Sequence, residues 1–127
     1  MKTEEDNTFK QECYDIVGLC MLVHRELGSG FLEAVYQEAL EIELVKADKD
    51  YVRECQIQIN YKGIILDKKY YADFLCHNEI IVELKVVKSL DGNHMAQIMN
   101  YMKATNKKVG LLVNFGARSL EYKRVVL

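Results

Sequence analysis

The chain has 127 residues, half of them apolar, which suits one domain with a single core. Seventeen Lys and Arg stand against 19 Asp and Glu, a net charge of −2 that argues at first sight against a strong nucleic-acid binder. No apolar run reaches the roughly 18 residues of a membrane span, and the opening MKTEEDNTFK lacks the apolar core of a secretory signal, so a cytoplasmic location is expected.

No proline, repeat or low-complexity tract marks a linker. One compact domain over 1–127 is expected, with 1–8 as a flexible N-terminus. Phe9, Cys13, Ile16, Val17, Cys20, His24 and Leu27 recur at helical steps, so Phe9 to Leu27 reads as a helix. Gly28 suits a left-handed cap at its end, and Ser29 or Gly30 an N-cap for the next helix. That helix is expected from Phe31 to about Lys46. On a helical wheel Phe31, Val35, Ile42 and Val45 define its apolar face, with Glu38 inside that face and Glu33 nearly opposite Val35.

The period then changes to two. Tyr51, Cys55, Ile57, Ile59 and Tyr61 alternate with polar residues, as in a half-buried strand. Lys62-Gly63 is a turn. Ile64 to about Lys68 and Lys69 to Cys76 follow as strands, with or without a break between them. A turn at His77-Asn78-Glu79 leads to Ile80–Val87, the most apolar strand and the expected centre of the sheet. Asp91 to Thr105 reads as a helix capped by Asp91 or Asn93, with Met95, Ile98, Met99 and Met102 on its apolar face. Val109–Phe115 is a buried strand, Gly116 a turn, and Leu120–Val126 an edge strand. The order α-α-β-β-β-β-α-β-β makes an α/β or α+β sandwich. Its β-α-β crossover should set the strands starting at Ile80 and Val109 parallel.

Cys13, Cys20, Cys55 and Cys76 form no C-x-x-C pair, which speaks against zinc or iron–sulfur sites. Reduced core thiols are expected, with Cys13 and Cys20 on one buried helix face. Charge is unevenly spread. Positions 1–50 carry 5 basic and 12 acidic side chains, and 51–127 carry 12 and 7. The second part could offer a basic face to phosphates, or the two parts could simply attract each other.

Three charges interrupt the apolar hairpin YYADFLCHNEIIVELKVV. Glu83 and Lys85 are two apart and share one strand face. A turn centred on Asn78 sets Asp73 opposite Glu83, with Cβ atoms about 4.5–5.5 Å apart. Two carboxylates so close repel unless a cation lies between them. Lys85 supplies one positive charge, and the pattern is then a structural ion pair. Mg²⁺ would supply two, held by Asp73, Glu83 and a backbone carbonyl such as that of Leu84. Such an ion could bind a scissile phosphate and acidify the attacking water, with Lys85 orienting it.

Asp73 followed by Glu83-Leu84-Lys85 resembles the core signature of the PD-(D/E)XK nuclease superfamily. LGSGFLEAVYQEAL, with Gly30, Glu33 and Tyr36, resembles the motif of the GxxExxY family of small bacterial and archaeal proteins. AQIMNYMKAT, with Gln97 and Tyr101, and VGLLVNFG look like that family too, so the resemblance spans about Val17 to Val126. It implies a restriction-endonuclease-like mixed sheet with a central E-x-K strand and flanking helices. It also implies a Mg²⁺- or Mn²⁺-dependent phosphodiesterase site of Asp73, Glu83 and Lys85, joined by Glu33 from an early helix. Gln97 and Tyr101 would support that site or the DNA strand. Ala72 stands where the superfamily places proline.

Other candidates compete for places at the site. Glu38 is the geometric rival of Glu33. His24, on the apolar seam of the first helix, is either a hydrogen-bonded core histidine or a partner of Glu38 or a phosphate. His94, three before Gln97, could join Gln97 and Tyr101. The overall expectation is a nuclease acting on nucleic acid, DNA in the first instance. The rival is an inactive nuclease-fold module that binds nucleic acid or a protein, as a homodimer through the 120–126 edge if it dimerises.

Overall fold

The computed structural model describes residues 6–127. Its elements are α1 (Lys10–Leu27), α2 (Glu33–Lys46), β1 (Tyr51–Tyr61), β2 (Ile64–Cys76), β3 (Ile80–Lys85), α3 (Gly92–Thr105), β4 (Val109–Asn114) and β5 (Glu121–Val126). The strands form one sheet in the order β1-β2-β3-β4-β5. All neighbours are antiparallel except β3 and β4, which the α3 crossover makes parallel. The helices α1 and α2 cover one face and α3 the other, each over its own apolar cluster. This is the mixed, restriction-endonuclease-like α+β arrangement expected, with the E-x-K strand β3 at the centre and β5 at an edge. Among the described residues no helix is long and apolar enough to cross a membrane.

Positions 1–5 of the expected N-terminal tail lie outside the described residues. Thr8 is tied to β5, where Arg124 donates to its carbonyl. All four cysteines are free, and Cys13 and Cys20 are buried together under α1. Residues 64–76 form one unbroken strand, and β3 stops at Lys85 rather than Val87. Asn114 fixes the chain beyond that stop. Its amide Oδ1 accepts from Val87 N–H at 3.0 Å and its Nδ2 donates to Val87 O at 2.9 Å.

Three local expectations are corrected. First, α2 starts at Glu33 with Leu32 as its N-cap and no side-chain cap, so neither Ser29 nor Gly30 caps it. Gly28 does end α1 with φ +72°, but its ψ of −159° lies outside the left-handed helical well. Nothing in the surroundings of Gly30 requires glycine.

Second, α2 buries a different face. Tyr36, Leu40 and Leu44 are fully buried beside Gln37, while Phe31, Val35, Ile42 and Val45 are exposed. Apolar residues lie all round this helix, so periodicity gives little direction. Each full burial contributes about 2 kcal/mol, which decides which side turns inward. Glu38 therefore lies on the exposed side.

Third, β1 does not keep one face inward. Tyr51 packs with the α1–α2 cluster and Arg53 bonds to α2, whereas Cys55, Ile57 and Ile59 pack under α3. The pleat inverts at Glu54, which holds φ +52°. The paired strand inverts with it. Phe74 and Cys76 join the α1–α2 cluster and Ala72 the α3 cluster, with Asp73 between them. A residue that breaks the period of two on both strands is a bulge-like irregularity, and such features re-aim side chains near functional sites.

Candidate active site

The irregularity at Asp73 sets up the site. The β2–β3 ladder pairs Cys76 with Ile80 and Phe74 with Val82, then stops. This is the register expected from a turn centred on Asn78. Where the next pair would form, carboxylates stand in for the backbone. Asp73 N–H donates to Glu83 Oε1 at 2.9 Å, and Leu84 N–H donates to Asp73 Oδ2 at 2.8 Å. In an extended residue N–H and C=O point the same way, so the Leu84 carbonyl also faces this mouth.

Both helical layers reach the mouth. From α2, Gln37 Nε2 donates to Asp73 Oδ1 at 3.0 Å. From α3, Gln97 Oε1 accepts from Lys85 Nζ, and that Nζ lies 3.8 Å from Glu83 Oε2. Val82 and Leu84 belong to the α1–α2 cluster and Ile81 to the α3 cluster, so Glu83 and Lys85 face α3 by strand alternation.

Burial makes these charges costly. Asp73 and Glu83 are 9% and 5% exposed. Glu83 is pushed up to about 8, chiefly by burial and then by the charge of Asp73. Asp73 is also raised by burial, though the Leu84 N–H, Lys85 and Gln37 oppose the shift. Glu33 is exposed as a residue, yet partial desolvation of its carboxyl and then Asp73 raise it as well, and Glu33 in turn acts on Glu83. The hydroxyl of Tyr101 is held up at about 12 by burial and then by Glu83. This is a cluster of three acids, each pushed toward its neutral form, beside one ammonium.

The donor set fits a hard divalent cation. Each oxygen of Asp73 and Glu83 meets one protein donor and keeps acceptor capacity. Among the described residues no three His, Cys, Asp or Glu side chains form a ready-made cluster. An ion here would rest on two carboxylates, a carbonyl and water, which is the way Mg²⁺ is usually held.

The remaining candidates are placed as follows. Tyr36 is fully buried and stacks on Phe115 at 4.6 Å. Its hydroxyl donates to Gly28 O at 2.5 Å and accepts from Phe31 N–H at 3.2 Å. It thus clamps the connection that delivers Glu33 in the first turn of α2. His24 Nε2 donates to Ala117 O at 3.0 Å beside Phe115, so it is a bonded core histidine with no tie to Glu38. His94 does not join Gln97 and Tyr101. It completes the capping box of α3 with Asp91, its Nδ1 accepting from Asp91 N–H at 3.0 Å.

One group was not foreseen. Gln37 Oε1 accepts from Arg53 Nε at 3.1 Å and Nη2 at 2.9 Å, and Arg53 Nη1 donates to Glu41 Oε1 at 2.9 Å. Tyr51 closes the chain on Glu41 Oε2 at 2.9 Å. Because Arg53 fixes the carbonyl end of the Gln37 amide, its NH₂ end must face Asp73. The one sequence hint was Arg53 at an inward position of β1.

A sequence model of the PD-(D/E)XK nuclease superfamily matches residues 10–125. The chain belongs to that superfamily. No curated protein matches it in sequence. Among solved structures, the crystal structure of SSO0001 superposes with a TM-score of 0.60 at 18% identity. That match covers 98% of this chain and 70% of the other, and it is a likeness of fold.

Proposed function

We propose that this protein is a Mg²⁺- or Mn²⁺-dependent nuclease that hydrolyses phosphodiester bonds, DNA being the expected substrate. The observation that carries the reading is the crossed pair Asp73–Glu83 at the end of the β2–β3 ladder, beside a lysine that Gln97 holds in place. Superfamily membership supports it, and the G-x-x-E-x-x-Y pattern of Gly30, Glu33 and Tyr36 supports a finer assignment to the GxxExxY family.

Asp73, Glu83 and the Leu84 carbonyl would hold the ion, and Glu33 would complete the shell directly or through water. When bound, the ion supplies Lewis acidity toward a phosphodiester and its attacking water. Lys85 orients that water and offsets charge on the phosphoryl oxygens. Gln97 fixes the Lys85 ammonium without neutralising it, since an amide oxygen only accepts. Gln37 holds Asp73 in one rotamer. Four free thiols suit a reducing, cytoplasmic setting.

A second reading rests on α2. Leu32, Val35, Ile42 and Val45 are exposed together along one helix, which suits a protein partner or a second copy of the chain. In that reading the fold binds without cleaving.

The deciding experiment is a cleavage panel of linear, circular, single-stranded and branched DNA and RNA with Mn²⁺, run beside Lys85→Ala. Metal-dependent cleavage that disappears in the variant supports the nuclease. Cleavage at the same rate in both preparations refutes it.

A further inference from the structure

A groove of about 830 Å³ runs between α3 and the β1–β2 hairpin. It lies within the roughly 300–1,000 Å³ range of ligand pockets. Asn60 and Tyr70 line its hairpin side, and Gln97, Asn100, Tyr101 and Lys103 its helical side. Two of these residues also belong to the site. Gln97 holds Lys85, and Tyr101 lies in the field of Glu83. Through these two residues the groove adjoins the site, although none of the site's carboxylates lines the groove.

We infer that this groove takes an unpaired nucleic-acid strand, so that the site is fed by single-stranded segments and not by intact duplex. The inference rests on the phosphodiesterase reading and names its substrate class. The lining is wrong for a duplex. Duplex binders gain affinity by neutralising several phosphates, yet among the described residues the lining carries one cation, Lys103. What it offers instead are amides and aromatic rings. Asn60 and Asn100 present donors and acceptors that suit base edges. Tyr70, 40% exposed, presents a ring face for a base, braced by the buried Tyr101 ring 5.8 Å away at a 45° tilt. In a duplex the base faces are stacked away. In a single strand they are free, and stacking on aromatic side chains is the usual way such strands are held.

The helix contributes by omission as well. Ala96 and Ala104 stand on the groove side of α3 and leave its floor open. Lys68, with Nζ 5.7 Å from the Tyr70 ring, adds a cation at the rim for the backbone of the same strand.

The test is fluorescence anisotropy with Ca²⁺ in place of Mg²⁺, on short DNA and RNA strands of one sequence and on the blunt DNA duplex. A single strand of either sugar should bind about tenfold or more tightly than the duplex, and Tyr70→Ala should weaken it by about tenfold, the loss of one base stack. Tyr70 is 40% exposed, so the variant should fold. Manganese binding, titrated separately in Tyr70→Ala, should equal that of the wild type. Duplex binding as tight as strand binding, or an unchanged Tyr70→Ala, overturns the inference and leaves Lys85-dependent cleavage standing. Absent cleavage with intact strand preference instead removes the phosphodiesterase reading.

Discussion

Asp73 and Glu83 meet across the mouth of a hairpin, where the amide N–H of one donates to the carboxylate of the other at 2.9 Å. The contact holds two acids together that repel each other. Without metal, burial and that repulsion hold Glu83 toward its protonated form.

The pH dependence follows from the sign of that shift. Glu83 sits at about 8 in the fold, against an ordinary 4.5. Below the ordinary value both states are protonated and the stability is fully present. Between the two values the native protein keeps a proton that the unfolded chain has lost, so stability falls as pH rises. Asp73 is shifted the same way. The metal-free melting temperature should fall from about pH 5 to about pH 8, and Glu83→Gln should flatten that slope and raise the melting temperature at the upper end. Asp73→Asn should bring no such gain. Both Asp73 oxygens accept hydrogen bonds, from Gln37 and Leu84, and an asparagine would turn a donor against one of them.

Lys85 and Gln97 separate chemistry from metal binding. Lys85→Ala should abolish cleavage, and Gln97→Ala should slow it by about 10²-fold, the low end for a positioned proton-transfer group. Manganese affinity, read by calorimetry, should not fall in either. A parallel loss of metal binding would place the lysine in a structural network instead.

Tyr36→Phe removes two hydrogen bonds to the connection between α1 and α2. It should cost about 1–2 kcal/mol in urea unfolding, and the cleavage rate should drop further than stability alone explains, because Glu33 loses its fixed entry into α2. An unchanged rate at full folding would separate Tyr36 from the site.

Gln37→Ala should destabilise the protein by about 2 kcal/mol, since it strips the Arg53 and Asp73 partners at once. Gln37→Glu should be worse without metal, because it adds a third acid beside Asp73. Thermal melts of both variants at neutral pH would check the order.

The hairpin was legible because turn residues mark its centre and antiparallel pairing then follows by counting. Asp73 could thus be set opposite Glu83, and the pairing of Phe74 with Val82 has that register. The crossover and the central strand were legible for similarly local reasons, and the cap was narrowed to Asp91 or Asn93, of which Asp91 is the one used. The inversion at Glu54 was not. A glutamate at φ +52° is held there by the surrounding fold, and nothing in its neighbours along the chain announces it. The face of α2 was misread because apolar residues surround the helix and only the depth of burial separates Tyr36 and Leu40 from Val35 and Ile42. Gln37 was missed for a related reason. Its importance comes from Arg53 on a distant strand, and no spacing rule links the two.

The most direct measurement is an anomalous difference map from a crystal soaked in manganese. A peak should appear within bonding distance of Asp73, Glu83 and the Leu84 carbonyl. A saturating soak that leaves no peak there, with the same carboxylates still bonded only to Gln37, Lys85 and backbone N–H groups, would contradict the metal-dependent nuclease.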